Sequence, residues 1–377
     1  MKIAIDARSL EETKTGLGRY LSNLLKYWKS NKKHRFVFYF KDKLPDNSLL
    51  ESGNFTKKLL RNPFGFSSNF FFQHFLLPYH LKKDKADFFF SPFYLKPLYC
   101  PVRSSIVLHD ISYEAHPEWF DNKSQLVLKT LSKFSAKKAN FIFTVSNYSK
   151  SEIIKYYKLN PDKITVAHLA PDSSFSKVYD KNKIKAIREK YGIGEKFILC
   201  VGSIFNRRHI PETIKAFARI ATEHKNYQLL IIGKNHTYPF ADIDKQIKIA
   251  NENFGKNVIV RLNFVNEDEL LAFYSSCEIS VYLSDYEGFG LPVIEAQFFG
   301  KPVITSYNSS LIEVGDSSVE FVAKNTVNEI YKSLEKVISN DDYRENLVKK
   351  GNENIKRFSW KKCAEKTLGK ISEGGEN

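Results

Sequence analysis

Cysteine is scarce in this chain of 377 residues: Cys100, Cys200, Cys277 and Cys363 stand far apart, with no CxxC pair. That usage suits a reducing compartment and argues against a disulfide framework or a zinc site. Long apolar runs are missing too. No stretch approaches the roughly 18–20 apolar residues that span a bilayer, and the aromatic run 70–81 is interrupted by Gln73, His74 and His80. The opening MKIAIDARSL sets Asp6 and Arg8 where a secretory leader needs an apolar core, so no signal peptide is expected. Together these absences predict a cytoplasmic protein. Acidic residues are the third shortage, 42 against 58 basic ones, for a formal net charge of +16. Such a balance favours anionic partners: nucleic acid, an anionic membrane surface or phosphorylated substrates. Composition alone does not choose among them.

What is present is ordinary for a packed globular protein, with 42% hydrophobic and 27% charged residues. The length suits two domains of about 150–200 residues each. Short β-branched or aromatic runs alternate with helical patterns, which predicts an α/β fold with parallel sheets. Residues 3–5 read as a first strand, followed by Gly16-Leu17-Gly18 and a helix with Leu17, Leu21, Leu24, Leu25 and Trp28 on one face. Further strands are expected at 36–40, 88–90, 106–108, 141–145 and 164–168, and Ser146-Asn147-Tyr148-Ser149 offers N-cap residues for a helix that runs to about residue 158. The lysine-rich stretch 177–196 marks a crossing, after which strands recur at 197–201, 229–232, 258–262, 279–283 and 303–304. No repeat of fixed period is visible. The simplest architecture is two doubly wound, Rossmann-like domains, 1–175 and 176–359, with a C-terminal helix 360–377 completing the first. Ligands of open parallel sheets bind beyond the carboxyl ends of the strands, so a central cleft that both domains face is the expected site.

The most specific segment runs Ser284-Asp285-Tyr286-Glu287-Gly288-Phe289-Gly290-Leu291-Pro292-Val293-Ile294-Glu295-Ala296. A strand ends, glycines frame a tight turn, and a helix begins with Pro292 in its first turn, where proline is tolerated. The N–H groups of such a helix start form an anion site. Glu287 stands before the turn and Glu295 about one turn into the helix, and a carboxylate is a good acceptor for paired sugar or ribose hydroxyls. Residue by residue, the segment also fits a strand–loop–helix with one capping and one solvated glutamate.

This segment, continued by Gly300-Lys301-Pro302-Val303-Ile304 and Ser309-Ser310-Leu311-Ile312-Glu313-Val314, resembles the donor-site signature of the family-4 retaining glycosyltransferases of the GT-B fold. The likeness runs over nearly the whole chain. Gly16-Leu17-Gly18-Arg19-Tyr20 is similar to that family's first glycine loop, and Leu108-His109-Asp110 and Thr144-Val145-Ser146-Asn147 to its N-terminal motifs. Val201-Gly202-Ser203 leading to Arg207-Arg208 is similar to its diphosphate clamp, and Phe358-Ser359-Trp360 to its C-terminal return. Three departures stand out: Arg208 where lysine is usual, Asn263 where glycine is common before Phe264, and Ile312 for a frequent proline.

The resemblance implies roles. Arg207 and Arg208 would meet the charge that develops on the leaving diphosphate. Glu287 would hold the donor sugar and support an oxocarbenium-like transition state, and His109 would contact that sugar near the reacting carbon. Glu295 would bind the ribose, the turn Gly288-Phe289-Gly290-Leu291 the sugar or phosphate through backbone N–H groups, and Phe264 would lie on the donor side. The Gly16, Leu17 and Gly18 loop would approach the diphosphate or the acceptor. No Asp-x-Asp stands where a metal-bridged diphosphate needs one, since Asp242-Ile243-Asp244 falls on an expected helix. No metal or other cofactor is therefore expected.

Residues 55–103 hold Lys57, Lys58, Arg61, Lys82, Lys83, Lys85, Lys96 and Arg103 against Asp84 and Asp87, interleaved with Phe64, Phe66, Phe70, Phe71, Phe72 and Phe75. A basic, aromatic surface suits an anionic bilayer, the place of a lipid-linked acceptor, although 88–90 and its neighbours equally read as core. The expected function is transfer of a hexose with retention to a polyprenyl-diphosphate-linked or oligosaccharide acceptor, at the inner face of the plasma membrane, in surface glycan synthesis. Likeness to bacterial O-antigen mannosyltransferases makes GDP-mannose the first donor. A UDP-sugar donor and a nucleotide-sugar 2-epimerase of the same fold are the rivals. A nucleic-acid-binding protein would need a basic stripe with stacking aromatics on a small module, and no RRM, KH or helix-turn-helix pattern is visible.

Overall fold

The structure, a computed structural model, describes residues 1–11, 16–62, 68–120, 122–175 and 180–375. Its central strands are short, apolar and buried on both faces, as parallel strands covered by helices must be. Among the described residues they form two all-parallel sheets. The first comprises β1 (Lys2–Asp6), β2 (Arg35–Phe40), β3 (Phe55–Leu59), β4 (Phe88–Ser91), β5 (Arg103–Leu108), β6 (Phe141–Thr144) and β7 (Ile164–Val166), in the order β3-β2-β1-β4-β5-β6-β7. The second comprises β8 (Lys196–Val201), β9 (Tyr227–Ile232), β10 (Ile259–Leu262), β11 (Ile279–Tyr282), β12 (Val303–Ser306) and β13 (Glu320–Val322), in the order β10-β9-β8-β11-β12-β13. The order reverses between β1 and β4 in one sheet and between β8 and β11 in the other. Loops at the carboxyl ends of such switch strands diverge and leave a crevice.

The chain divides into a unit of 1–173 with 359–377 and a unit of 174–358. In the first, the helix Gly16–Trp28 buries Leu21, Leu24, Leu25 and Trp28. Trp28 stacks on Phe36 of β2 with ring centroids 5.5 Å apart, and its indole N–H donates to the Ala364 carbonyl at 3.0 Å. That bond and the burial of Cys363, Ala364 and Ile371 seat the C-terminal helix Trp360–Gly375 on this unit. Ser146 caps the helix Asn147–Tyr157 by accepting from the Ser149 N–H, and Lys158 in a left-handed conformation ends it.

Three points depart from or refine the sequence reading. Gly16, Leu17 and Gly18 are the first turn of a helix and not a loop ahead of it; residues 12–15 lie outside the described residues. Two strands, β3 and β13, carry no sequence signal: β3 is an edge strand reading FTKKL, and β13 is three residues long. The basic stretch 55–103 is mostly fold. Lys57 and Lys58 lie on β3 and pair with Glu51 and Asp84, Lys96 is buried, and Phe72 and Phe88–Ser91 are core. Phe64 and Phe66 lie outside the described residues. Still exposed are Phe70, Phe75, Tyr79, Leu98 and Tyr99, beside Lys82, Lys83 and Lys85. No described helix is long and apolar enough to cross a membrane.

Candidate functional site

The second unit gathers most of the singled-out residues at the carboxyl ends of β8 and β11, which are neighbours in the sheet. After β8, the turn Asn206–Arg208 presents two guanidinium groups. Arg207 lies over the Phe205 ring at 4.5 Å and Arg208 over the Tyr282 ring at 4.2 Å. After β11, Glu287 faces them: its Oε1 lies 3.0 Å from Arg208 Nη1 and 3.9 Å from Arg207 Nε. The Arg208 and Glu287 side chains are only 13% and 12% exposed, so this pair is largely desolvated. Burial works against the Arg208 charge, but Glu287 and Tyr282 outweigh it and raise its pKa.

The Glu287 backbone is fastened to the next loop. Its N–H donates to Ser309 Oγ at 3.1 Å, while Ser310 Oγ donates to the carbonyls of Glu287 at 2.9 Å and Phe289 at 2.8 Å. Gly290 closes the turn at φ 108°, a left-handed value that suits glycine, and an added Cβ would lie 2.7 Å from Leu311. The helix Leu291–Phe298 starts from that glycine, with Pro292 in its first turn. Glu295, buried in the second turn, accepts from the Tyr274 hydroxyl at 2.9 Å. Gly288 and Phe289 are buried, and the Phe289 ring packs edge-on against Phe358 at 5.6 Å.

Two other singled-out residues lie elsewhere. Phe264 follows β10 and is 82% exposed, two strand spacings from β8, or roughly 10 Å. His109 belongs to the first unit, at the end of β5. Its ring packs edge-on against Tyr20 at 4.9 Å, and Nε2 is buried without a partner. Burial is the main cause that pushes its pKa down to about 4, against the pull of Asp110 and a bond to Pro92. Proline has no N–H, so the partner is the Pro92 carbonyl. The donor is then Nδ1–H, which leaves Nε2 as an acceptor.

Sequence reasoning missed a polar chain around this site. His209 Nε2 lies 2.7 Å from Asp285 Oδ1, and the Asp285 N–H donates to the Arg207 carbonyl at 3.0 Å. Asn325, beyond β13, donates to Asp285 at 3.0 Å and accepts from Ser306 Oγ at 2.7 Å. Ser306 in turn accepts from the Ser284 N–H at 2.9 Å. A histidine directly after a basic pair and two residues ahead of Pro211 was the available signal. The Asp242/Asp244 pair is spent on the fold: Asp242 caps the helix Ile243–Phe254, and Asp244 pairs with Arg261. Among the described residues, Glu223, His224 and Glu335 are close enough to hold a metal. They lie at the far end of the helix Ile210–Glu223, about 20 Å along it from Arg208.

Two family models match the chain in series. "Glycosyltransferase Family 4" matches residues 14–174, and "Glycosyl transferases group 1" matches residues 183–354. The "O-antigen chain mannosyltransferase B" of Escherichia coli is 27% identical over 267 residues, 71% of this chain and 69% of that protein. The "Serotype-specific mannosyltransferase WbdA" of Escherichia coli is 25% identical over 271 residues, 70% of this chain and 32% of that protein; the chain thus spans about a third of WbdA. The crystal structure of Anabaena Alr3699/HepE in complex with UDP and glucose matches the fold with a TM-score of 0.75 at 15% identity, over 99% of this chain and 100% of that one. The paired arginines facing Glu287 thus sit in a chain that the two family models match over 14–174 and 183–354, and the protein is a glycosyltransferase of family 4 with the GT-B fold.

Proposed function

We propose that the protein transfers a hexose, with retention, from a nucleotide-sugar to a glycan carried on a polyprenyl diphosphate, in surface glycan synthesis. The observation that carries the donor half is the Arg207-Arg208 turn set against Glu287 beside the start of the helix Leu291–Phe298. Two guanidiniums and a helix N-terminus suit a diphosphate leaving group. In this reading Glu287 holds the donor sugar, Glu295 the ribose, and the N–H groups of Phe289, Gly290 and Leu291 the sugar or phosphate. Phe264 lies on the donor side. His109 contacts the sugar near the reacting carbon, its neutral ring fitting a hydrogen-bonding role. Gly16, Leu17 and Gly18, at a helix start, serve phosphate or acceptor. The unit of 174–358 is then the donor half and that of 1–173 the acceptor half, and no metal is needed.

GDP-mannose is the first donor in this reading, supported by the relatives named mannosyltransferases. A UDP-sugar is the second, supported by the likeness to a structure that holds UDP and glucose. For the acceptor side, the exposed Phe70, Phe75 and Tyr79 beside Lys82 and Lys83 suit the surface of an anionic membrane. The deciding experiment is a thermal-shift panel of GDP-, UDP-, dTDP- and ADP-sugars, since a bound donor raises the melting temperature. A shift with GDP-mannose alone supports the first donor, and one with UDP-sugars alone replaces it. No shift with any sugar nucleotide removes the whole reading.

A further inference from the structure

We propose that His209 and Asp285 form a clasp holding the Arg207-Arg208 turn in register with the Glu287 loop, and that donor binding depends on it. This rests on the donor reading above and adds positioning residues that act through the arginines. Three features carry it. His209 adopts φ 52° and ψ 36°, a left-handed conformation that a residue with a Cβ keeps only when its surroundings enforce it. That twist lets the imidazole turn back across the strand ends to Asp285, 2.7 Å away on the loop after β11. The same loop returns a second tie, the Asp285 N–H to the Arg207 carbonyl at 3.0 Å. The two loops that bear opposite halves of the charged site are therefore joined by two bonds, one on the side chain and one on the backbone.

The charges explain what the clasp does. Facing His209 are Asp285 from the β11 loop, Glu212 at 3.6 Å and then Lys215 on its own helix, with Arg207 and Arg208 preceding it and Glu287 beyond them. Burial disfavours the imidazolium, but Asp285 and Glu212 outweigh burial and hold its pKa at about 9. At neutral pH, His209 thus neutralises Asp285. Without that charge, the Asp285 carboxylate stands beside the arginine turn as a rival to a diphosphate. As pH rises through 9 the proton leaves, and the rivalry begins. Tyr282, which lies over Arg208, is pushed up by burial and stays protonated through this window.

The test measures GDP and UDP affinity from pH 7 to 10 for wild type, His209→Gln and Asp285→Asn, with circular dichroism checking the fold. Glutamine keeps a donor toward Asp285 but does not titrate. Wild type is expected to weaken about fivefold or more between pH 8 and pH 10. His209→Gln should bind about fivefold more weakly at pH 7.5, with a flat profile up to pH 10. Asp285→Asn removes the rival carboxylate and should also flatten the profile. In transfer assays the His209→Gln loss should appear in KM for the donor more than in kcat. A folded His209→Gln with wild-type affinity and a wild-type alkaline limb overturns the clasp and leaves the donor reading intact. A wild type that binds neither nucleotide overturns both.

Discussion

Glu287→Gln should bind nucleoside diphosphate more tightly than wild type while losing transfer. In the free protein the Glu287 carboxylate is 3.0 Å from Arg208 in a nearly desolvated setting, so an incoming diphosphate must displace it. The direct attraction at that distance is roughly 5 kcal/mol at an effective dielectric constant near 20. Desolvation of both groups opposes it and leaves about 1–2 kcal/mol net. Glutamine keeps the shape and surrenders the charge, so Arg208 becomes available. About 1.4 kcal/mol is a tenfold gain in nucleotide affinity. The variant should be less stable alone, because a buried guanidinium has lost its partner, and should show a larger thermal shift on adding GDP or UDP. Transfer should fall by 100-fold or more, roughly the size of losing one preorganised transition-state contact. Titration calorimetry and a transfer assay read the two effects. If nucleotide affinity stays the same or drops, the carboxylate does not compete with the diphosphate. If transfer survives, Glu287 does not act on the sugar.

Three further outcomes are expected. Activity should persist in excess EDTA, because arginines and a helix N-terminus are assigned to the diphosphate and both carboxylates of the Asp242/Asp244 pair are occupied elsewhere; a strict Mg²⁺ or Mn²⁺ requirement for the chemical step would refute this. His109 titrates at about 4 in the folded state against an ordinary value near 6.5, so its neutral form lends stability that is complete above 6.5 and lost as pH falls through 4. The effect is on the order of 3 kcal/mol, and melting temperatures of a His109→Gln variant should vary less between pH 6.5 and pH 4 than those of wild type. Wild type should co-sediment with anionic but not neutral vesicles at low salt and be released at about 1 M salt, where the Debye length is about 3 Å. Phe75→Ser/Tyr79→Ser/Lys82→Glu/Lys83→Glu should stay in solution, and equal sedimentation of both proteins would discard the membrane surface.

The fold was legible because its signals are local. Apolar runs such as 36–40 and 197–201 have nowhere to go but a sheet covered on both faces, and the capping residues of 146–149 announce a helix start by their chemistry. Illegible parts lacked that locality. β3 carries two adjacent, half-buried lysines that an edge strand can accommodate, and its pairing with β2 becomes visible only when β2 is in place. The basic count over 55–103 left surface and core unresolved for a related reason. Charge sums do not tell that Lys58 lies against Asp84, or that Lys96 turns inward.

The candidate site divides along the same line. Glu287, Gly290, Pro292 and Glu295 form one contiguous segment, so strand end, turn and helix start could be read together. Arg207 and Arg208 came from a second segment by resemblance. Adjacency of the two segments follows from topology: β8 and β11 become neighbours only because the chain lays β9 and β10 to one side and returns to the other. The chain His209–Asp285–Asn325–Ser306–Ser284 depends entirely on that return, since its members come from the ends of four strands. Each alone has a bland reading as a loop polar residue. Joined, they tie the loop that bears the guanidiniums to the loop that bears the Glu287 carboxylate. The candidate site is therefore assembled from two layers, one written in a motif and one created by strand order.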